Sequence, residues 1–374
     1  MKIIIIISSL SSGGAERVTA NLANAWASRG WDVTIVTFAS ADLDFYSLNQ
    51  SVNRVALNLA SDSANIFQAI WANFRRLLAL RRVLREKQPH LVLGMMVTAS
   101  IIATLAGKGL SCRVVVSERI HPPRLPIGRI WNFLRRHVYP LATKVIALTD
   151  ESSQWLQTHV PGCSVVVIPN PVLFPIASVE PILAPDQIVL KQRRFLLAVG
   201  RLAEQKGFDY LIKSFAVIPA KHPDWELIIL GEGPKRLELE ALVKHLGLSH
   251  CVKLPGRAGN VTDWYQKADL YVMSSLFEGF PNTLVEAMAH GCPVISFDCD
   301  TGPRDIIRHE IDGLLVPVGN IPALTASLDQ LITDADLRTQ YSIRAVEAQN
   351  RFSLKQILSL WDRLFEEVLD KYAK

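Results

Sequence analysis

Cysteine is scarce in this sequence, and its spacing is not that of a disulfide framework or a metal site. The 374 residues contain an odd number of cysteines at scattered positions: Cys112, Cys163, Cys251, Cys292 and Cys299. Structural zinc and structural disulfides both depend on cysteines with characteristic spacings. We therefore expect neither a structural metal nor a disulfide.

Long apolar runs and low-complexity tracts are also missing. The opening run Lys2 to Ile7 is apolar but soon ends in serines. A membrane span needs about 20 apolar residues, and a signal peptide needs a longer apolar core with a cleavage site. The run therefore predicts a first buried β-strand in a cytoplasmic protein. With 49% hydrophobic and 20% charged residues, the composition is that of a globular protein.

The dinucleotide fingerprint G-x-G-x-x-G is absent, which argues against a nicotinamide enzyme. Instead, Gly13 and Gly14 follow the first apolar run and open a segment with helical periodicity. A glycine pair lets a phosphate approach the backbone, and a helix start offers unpaired N–H groups. A tight turn without a ligand explains the pair equally well.

Positive charge is concentrated in the first half. Residues 1–170 hold 18 Lys and Arg against 9 Asp and Glu, a net charge of +9, whereas the remainder holds 22 against 26, a net charge of −4. This asymmetry predicts that the first half faces an anionic partner, such as nucleic acid, phospholipid head groups or a phosphorylated substrate.

Short apolar runs alternate with longer amphipathic segments, which indicates βαβ units and parallel sheets. The runs are KIIIII, VTIVTF, HLVLGM, RVVVSE and KVIAL, then FLLAVG, ELIIL, VKLPG, LYVMS and PVISF. We predict an α/β protein with Rossmann-like domains at 1–172 and 191–352, a proline-rich linker at 173–190 and a ligand cleft between the facing domains. A helical pattern over 353–374 allows packing on either domain.

Two cations follow the strand FLLAVG. Arg201 comes after Gly200, and Lys206 precedes Gly207. The planar fork of arginine and the point charge of lysine suit a diphosphate. Two ordinary surface cations on a solvated loop are the alternative.

The segment 278–286 places two carboxylates around a helix start. Pro281 disfavours helical geometry before it, so Glu278 is expected in a loop and Glu286 in the helix. The amides of Thr283 and Leu284 could then bind phosphate, Glu286 could chelate ribose hydroxyls, and Glu278 could face a sugar. A pair of carboxylates that merely stabilises the helix dipole is the alternative.

A metal site is not expected at Asp298 and Asp300, although a D-x-D pair holds a metal on a nucleotide-sugar phosphate in one class of enzymes. A two-carboxylate match is common by chance, and Arg201 and Lys206 could neutralise a diphosphate without a metal.

Two basic amphipathic stretches lie in the first half. One, 66–86, includes Arg75, Arg76 and Arg82, and the other, 119–137, includes Arg119 and Arg124. A helix that packs its apolar residues on the core and exposes its polar face explains most such patterns. Because both stretches are in the basic half, we expect a contact with an anionic membrane surface or a lipid diphosphate.

Together, several motifs resemble those of glycosyltransferase family 4, a group of retaining GT-B enzymes. They are SGGAER at 12–17, GRLAEQKG at 200–207, GEGP at 231–234, EGFPNTLVEAMAHGCPVIS at 278–296 and DGLLVP at 312–317. The resemblance covers nearly the whole chain in the right order. It implies two facing Rossmann-like domains, metal-independent donor binding and retention at the anomeric carbon.

The resemblance also implies roles for matching residues. Arg201 and Lys206 would contact the donor diphosphate, Glu286 the ribose and Glu278 the donor sugar, while Gly14 would meet the diphosphate or the acceptor. The full set of expected donor contacts is Gly13, Gly14, Arg201, Lys206, Gly256, Arg257, Glu278, Gly279, Phe280, Pro281, Asn282, Thr283, Leu284 and Glu286. Many relatives have Ser-Glu-His after a central strand. This chain has Ser117-Glu118-Arg119 and then His121, so either His121 takes that catalytic place or the role is lost.

The expected activity is transfer of a hexose or N-acetylhexosamine from a nucleotide diphosphate, most simply UDP, to a polyprenyl-diphosphate-linked or polysaccharide acceptor. The enzyme would act at the inner face of the cytoplasmic membrane, without a cofactor and without nucleic acid. Two alternatives stay open. One is a nucleotide-sugar epimerase of the same fold, and the other is an inactive donor-binding subunit.

Overall fold

The computed structural model describes residues 1–11, 13–60, 66–124 and 127–370. Ser12 of the first motif, 125–126 of the second basic stretch and 371–374 of the predicted last helix lie outside the described residues. The chain divides into two compact units. The first consists of Met1–Asn170 and Ile357–Lys374, and the second is Pro171–Gln356.

The first unit contains a seven-stranded parallel sheet with the strand order β3-β2-β1-β4-β5-β6-β7. The strands are β1 (Lys2–Ile7), β2 (Asp32–Thr37), β3 (Val52–Ala56), β4 (Leu91–Met95), β5 (Arg113–Ser117), β6 (Lys144–Ala147) and β7 (Val165–Val167). Ile5 of β1 pairs with Ile35 on one side and with Leu93 on the other. Because β1 is central, both of its faces are covered, which explains its uninterrupted run of isoleucines.

Five helices connect these strands: α1 (Gly14–Ser28), α2 (Ile66–Lys87), α3 (Val97–Gly107), α4 (Gly128–Val138) and α5 (Asp150–His159). Short 3-10 turns occur at Ala41–Leu43, Pro122–Arg124 and Tyr139–Leu141. The helix α3 is buried on almost every face, as its apolar sequence VTASIIATLAG predicts. Its side chains join those of the strands in one core that includes Ile102, Val116 and Tyr139.

The second unit contains a six-stranded parallel sheet with the strand order β10-β9-β8-β11-β12-β13. The strands are β8 (Arg194–Val199), β9 (Trp225–Leu230), β10 (Val252–Gly256), β11 (Leu270–Met273), β12 (Val294–Phe297) and β13 (Gly313–Val316). Apolar side chains from these strands form a second core with residues such as Phe215, Trp225 and Leu328. Each unit therefore has a core of its own.

The helices of the second unit are α6 (Pro185–Ile188), α7 (Phe208–Phe215), α8 (Ile218–Lys221), α9 (Arg236–His245), α10 (Val261–Lys267), α11 (Asn282–Ala289), α12 (Pro303–Ile306), α13 (Ile321–Thr333), α14 (Ala335–Ala345) and α15 (Ala348–Arg351). A 3-10 turn, Glu204–Lys206, precedes α7. The amphipathic sequence of α7 buries Phe208, Leu211 and Phe215 against the sheet.

The last helix, α16 (Leu354–Asp370), belongs to the first unit from Ile357 onward. Its buried residues Trp361 and Phe365 pack against Trp26 of α1, with ring centroids 5.9 and 5.4 Å from that indole. Arg29 Nη1 also lies 2.8 Å from Asp362 Oδ2. The apolar face of α16, which the amphipathic sequence pattern predicts, thus completes the core of the first unit.

Candidate functional site

The strand order of the second unit places a topological switch point at β8. The chain passes from β8 to β9 and β10 on one side, and then returns to β11 on the other side. Loops that leave such neighbouring strands at their carboxyl ends diverge and leave room for a ligand. Arg201 follows β8 and Glu278 follows β11, so the chain brings two predicted site residues to this edge.

Lys206 and Glu278 form an ion pair at the switch point. The Lys206 Nζ atom lies 2.6 Å from Glu278 Oε1, and the two side chains are 18% and 8% exposed. Thr301 donates from its hydroxyl to the Glu278 carbonyl over 2.6 Å, and Ser274 donates to the Lys206 carbonyl over 2.9 Å. A side-chain hydrogen bond therefore fixes the backbone of each residue in the pair. Arg201 is exposed in the same loop as Lys206.

Two glycines let the loops at this edge approach one another closely. Gly231 has φ 144°, and a Cβ atom there would overlap the carbonyl oxygen of Gly200. Gly207 has φ 56°, and a Cβ atom there would overlap the carbonyl oxygen of Ser274. Both conformations favour glycine. The motifs GRLAEQKG and GEGP thus contain glycines that bring the ends of β8, β9 and β11 together.

The helix α11 begins after Pro281, whose backbone is extended with φ −77° and ψ 91°. Glu278 lies in the preceding loop, as the sequence predicts. One expected phosphate contact needs correction, since the Leu284 amide already donates to the Pro281 carbonyl over 3.1 Å. The Thr283 amide precedes that first bond and stays at the open end of the helix.

Two buried tyrosines, which the sequence reasoning missed, hold residues of α11. Tyr271 donates to Thr283 Oγ1 over 2.8 Å, and Tyr265 donates to Glu286 Oε2 over 3.2 Å. Burial raises the pKa of Tyr271, so its hydroxyl stays protonated and can donate. The sequence signal was available, because a buried tyrosine hydroxyl needs a polar partner.

The remaining predicted donor contacts surround this helix start. Gly279, Phe280 and Pro281 are buried, whereas Asn282 is half-buried. Gly256, with φ 104°, ends the edge strand β10 two strands from β8, and Arg257 after it is exposed. A donor contact for each stays a prediction.

Asp298 is engaged by another side chain. Arg304 donates to both Asp298 oxygens, over 3.0 and 2.9 Å. Across residues 1–11, 13–60, 66–124 and 127–370, no cluster of three or more His, Cys, Asp or Glu side chains has metal-site geometry.

In the first unit, the Gly13 backbone forms hydrogen bonds with a tyrosine that the sequence analysis also missed. The Tyr46 hydroxyl donates to the Gly13 carbonyl over 2.9 Å and accepts from its amide over 3.2 Å. A Cβ atom on Gly13 would overlap the Glu16 carboxylate, whose pKa is raised by burial. Gly14 starts α1 and is exposed.

The Ser-Glu-Arg segment after β5 is buried. Glu118 accepts a 2.8 Å hydrogen bond from Tyr139 and lies 3.5 Å from Arg135, while burial raises its pKa. His121, also buried, has Nδ1 3.0 Å from the Ser152 hydroxyl. A catalytic role for His121 stays a prediction.

Arg119 requires a correction, because it does not belong to the basic surface. Its side chain is 7% exposed, and Nη1 donates to Asn170 Oδ1 over 2.6 Å. Burial lowers its pKa to about 9. A residue enclosed in this way cannot make the membrane contact predicted from its place among five arginines.

The other predicted surface arginines divide into two groups. Arg75, Arg82 and Arg124 are exposed. Arg76 is half-buried, and it donates to the Leu59 carbonyl and to Asn73 Oδ1 over 2.9 Å each. Burial also lowers its pKa. Arg76 therefore stabilises the first unit through these internal hydrogen bonds, and it is less suited to the surface contact predicted for it.

Comparison with known proteins decides the family. A profile described as "Glycosyltransferase Family 4" matches residues 12–172, and one described as "Glycosyl transferases group 1" matches residues 184–347. An N-acetylgalactosamine-N,N'-diacetylbacillosaminyl-diphospho-undecaprenol 4-alpha-N-acetylgalactosaminyltransferase of Campylobacter jejuni is 31% identical over 256 residues, which are 67% of this chain and 68% of that protein. The chain belongs to glycosyltransferase family 4.

Two further similarities extend over nearly the full length of this glycosyltransferase. Another Campylobacter jejuni enzyme, GalNAc-alpha-(1->4)-GalNAc-alpha-(1->3)-diNAcBac-PP-undecaprenol alpha-1,4-N-acetyl-D-galactosaminyltransferase, is 29% identical over 98% of this chain and 99% of its own. The crystal structure of Anabaena HepE in complex with UDP superposes with a TM-score of 0.78, at 20% identity, over 98% of this chain and all of that one. The predicted GT-B class, with two parallel-sheet α/β domains, is confirmed.

In this family 4 glycosyltransferase, several of the predicted site residues meet at the switch point of the second unit. There the structure brings together Lys206, Glu278 and the start of α11, and it adds Thr301, Tyr265 and Tyr271 as supporting residues. This edge combines a cation, a carboxylate and a helix N-terminus, which can bind a phosphorylated ligand and orient its polar groups.

Proposed function

We propose that this glycosyltransferase is a retaining enzyme that moves a hexose or N-acetylhexosamine from a UDP-sugar to a lipid-linked or polysaccharide acceptor. The two Campylobacter relatives are named for N-acetylgalactosamine transfer to undecaprenyl-diphosphate-linked acceptors, which supports the acceptor class. HepE binds UDP on the same fold, which supports the choice of nucleotide.

The observation that carries the proposal is the Lys206–Glu278 pair at the switch point. An ammonium group has three N–H donors, of which Glu278 accepts one. The Lys206 side chain is still 18% exposed, so its remaining donors can turn toward a diphosphate. Arg201, exposed on the same loop, adds a planar pair of donors.

In the proposed reaction, the acceptor hydroxyl attacks the anomeric carbon from the face that the UDP leaves. The bond to the UDP oxygen breaks as the new glycosidic bond forms, and the leaving phosphate takes the acceptor proton. Arg201, Lys206 and the Thr283 amide stabilise the negative charge that develops on the phosphate. Glu278 contacts the donor sugar, and Glu286 binds the ribose.

We propose that the reaction needs no metal. The cations Arg201 and Lys206 supply positive charge for the diphosphate. Asp298, half of the D-x-D pair, has both carboxylate oxygens bonded to Arg304. A carboxylate engaged in this way would have to break a bidentate ion pair before it could bind a cation.

We further propose that the enzyme works as a peripheral protein on the inner face of the cytoplasmic membrane. No helix within the described ranges is both long enough and apolar enough to cross a bilayer. The first half carries a net charge of +9, and the exposed arginines Arg75, Arg82 and Arg124 lie there. An anionic surface attracts such charges at about 1 kcal/mol per cation.

The test is a transfer assay with UDP-sugars and undecaprenyl-diphosphate-linked oligosaccharide extracts, with the product linkage read by NMR. An α-linked product from an α-linked donor confirms retention, and a β-linked product overturns it. With donor alone, an isomerised sugar nucleotide would identify an epimerase. UDP binding without transfer to any extract would identify a donor-binding subunit.

A further inference from the structure

The loop that carries Glu278 lies between the loops that follow its two neighbouring strands. In the sheet of the second unit, β11 is flanked by β8 on one side and by β12 on the other. Glu278 follows β11, whereas Gln205 lies in the turn after β8 and Thr301 in the loop after β12. Side chains from both neighbouring loops can therefore reach the backbone around Glu278.

Each neighbouring loop binds one of the two carbonyl groups beside the Glu278 Cα atom. Gln205 donates from Nε2 to the Phe277 carbonyl over 2.9 Å, and Thr301 donates from Oγ1 to the Glu278 carbonyl over 2.6 Å. Thr301 is fully buried, and Gln205 is half-buried. Because peptide units are planar, fixing the units before and after Glu278 fixes its φ and ψ angles. These two angles decide the direction in which the side chain leaves the backbone.

Backbone contacts join the same three loops. The Leu276 amide donates to the Gln205 carbonyl over 2.8 Å, so the loops after β8 and β11 are bonded in both directions. On the other side, Gly302 lies so close to Pro281 that a Cβ atom on Gly302 would overlap the proline ring. The donors of both side-chain hydrogen bonds are therefore themselves held in place by the fold.

We propose that Gln205 and Thr301 are positioning residues, which orient the Glu278 carboxylate toward the donor sugar by holding the peptide units on both sides of it. The inference rests on the proposed function, from which it takes the contact between Glu278 and the sugar. It goes further because it assigns a part in the reaction to two residues that act through another one. A displacement of 1 Å in a group that orients a substrate can lower the rate about 100-fold.

The test compares variants that remove these hydrogen bonds with variants that remove a similar bond elsewhere in the second unit. Thr301→Val and Gln205→Met each remove the donor and keep a side chain of similar size. Thr325→Val is the control for the first, because Thr325 on α13 also donates to a carbonyl, in α7, over 3.2 Å. Gln349→Met is the control for the second, because Gln349 on α15 donates to the last carbonyl of α11 over 2.6 Å.

Transfer to undecaprenyl-diphosphate-linked oligosaccharide extracts is measured with UDP-glucose, UDP-galactose, UDP-N-acetylglucosamine and UDP-N-acetylgalactosamine, and kcat is compared for the fastest of these donors. UDP binding is measured by calorimetry. We expect Thr301→Val and Gln205→Met each to lower kcat about tenfold, while UDP binds with unchanged affinity and stoichiometry. Thr301→Ser keeps the hydroxyl and should restore most of the rate.

The controls distinguish positioning from stability. Thr325→Val and Gln349→Met should match the unchanged chain in both measurements. If the site variants also bind fewer UDP molecules per chain, or if the controls lose as much rate as they do, the hydrogen bonds only stabilise the second unit and the proposal is wrong. An unchanged kcat in both site variants would also overturn it.

A double variant shows whether Thr301 acts through Glu278. Glu278→Ala removes the carboxylate, so its orientation no longer matters, and the addition of Thr301→Val should lower kcat by less than about twofold more. A full tenfold further loss would show that Thr301 affects the reaction independently of Glu278, which contradicts the assignment.

Hydrogen exchange measures the loop without a substrate. In Thr301→Val and in Gln205→Met, amides in the segment 274–281 should exchange about fivefold faster than in the unchanged chain, because each variant removes one hydrogen bond that holds this segment. Exchange in β8 should not change. If 274–281 exchanges at the same rate in all chains, the two side chains do not hold the loop.

The outcomes separate this inference from the proposed function. If the unchanged chain transfers sugar from none of the four donors, or if Glu278→Ala transfers at the normal rate, the proposed function or its role for Glu278 is wrong and the positioning role falls with it. If Glu278→Ala is slow while Thr301→Val and Gln205→Met are normal, the proposed function stands and the positioning inference alone is wrong.

Discussion

The Lys206 ammonium and the Glu278 carboxylate are 2.6 Å apart although 72 residues separate them in the chain. They meet because β8 and β11 are neighbours in the sheet, and each strand carries one of them just beyond its carboxyl end. The pair fixes the direction of a positive charge at the point where a diphosphate is proposed to bind.

Removal of either cation should slow transfer. Arg201→Ala and Lys206→Ala are each expected to lower kcat/KM about 100-fold, the loss typical of removing one donor to developing negative charge. Steady-state kinetics measures the effect. Lys213→Ala is the control, since Lys213 is an exposed lysine on α7 that pairs with Asp209. Near-normal turnover in both site variants would remove the proposed mechanism.

Neutralisation of the carboxylate should separate binding from chemistry. Glu278→Gln keeps an oxygen that accepts from Lys206 but releases the full charge of the ammonium toward a ligand. We expect UDP to bind equally well or more tightly in calorimetry, while kcat falls at least about tenfold because the sugar contact is altered. Weaker UDP binding with an unchanged kcat would contradict this assignment.

The Tyr265 hydroxyl should matter through Glu286, the residue proposed to bind ribose. Tyr265→Phe removes a 3.2 Å hydrogen bond, worth about 1 kcal/mol, so the KM for the donor should rise about fivefold with a smaller change in kcat. Tyr341→Phe, in a buried tyrosine of α14, is the control. A larger effect on kcat than on KM would argue against a positioning role.

Two alanine variants can separate the effect of the close approach at Gly231 on stability from the effect of backbone strain. Gly231→Ala adds both an unfavourable φ and an overlap with the Gly200 carbonyl, so the free energy of unfolding should fall by about 3 kcal/mol or more. Gly247→Ala adds only the strained φ of 72° with open space around it, and it should cost about 1 to 2 kcal/mol. Denaturant titration compares them. Equal losses would show that the overlap is relieved.

Arg119 should destabilise the first unit at neutral pH, because this buried cation has no carboxylate partner among the residues that the structure describes. Arg119→Met is expected to raise the melting temperature at pH 7.5, since methionine fills similar space without a desolvation cost. The folded pKa is about 9 and lies below the ordinary value of 12.5. Folding therefore releases a proton between these values, and the disadvantage of the arginine should shrink above pH 9.

A difference in melting temperature that stays constant from pH 7.5 to 10 would contradict that assignment. If Arg119→Met is instead less stable at pH 7.5, the hydrogen bond to Asn170 outweighs the cost of burying the charge. Both outcomes can be read from thermal unfolding alone, so no substrate is needed.

Every central strand was read from the sequence, whereas three of the four edge strands were not; the edge strand that was read is β10, as VKLPG. Runs such as KIIIII and FLLAVG are apolar on both faces because β1 and β8 lie inside their sheets. The strands that were not recognised are β3, β7 and β13, each at an edge of its sheet. An edge strand has fewer neighbours, so its sequence needs less continuous apolar character.

The site could be predicted in part for a related reason. Glycines and a proline mark backbone geometry directly, so the loop with Glu278 and the start of α11 followed from Pro281 and its neighbours. Which polar groups meet across the fold was not visible. The burial of Arg119 and the tyrosine bonds to α11 depend on tertiary contacts. The bond from Arg304 to Asp298, six residues away, depends on the conformation of the loop between them.

The helix α16 supplies Trp361 and Phe365 to an aromatic cluster around Trp26, near the opposite end of the chain. During synthesis, the ribosome therefore releases the whole second unit before the residues that finish the first core emerge. Until then the first unit lacks the two aromatic side chains that pack on Trp26, whereas the second unit can already fold.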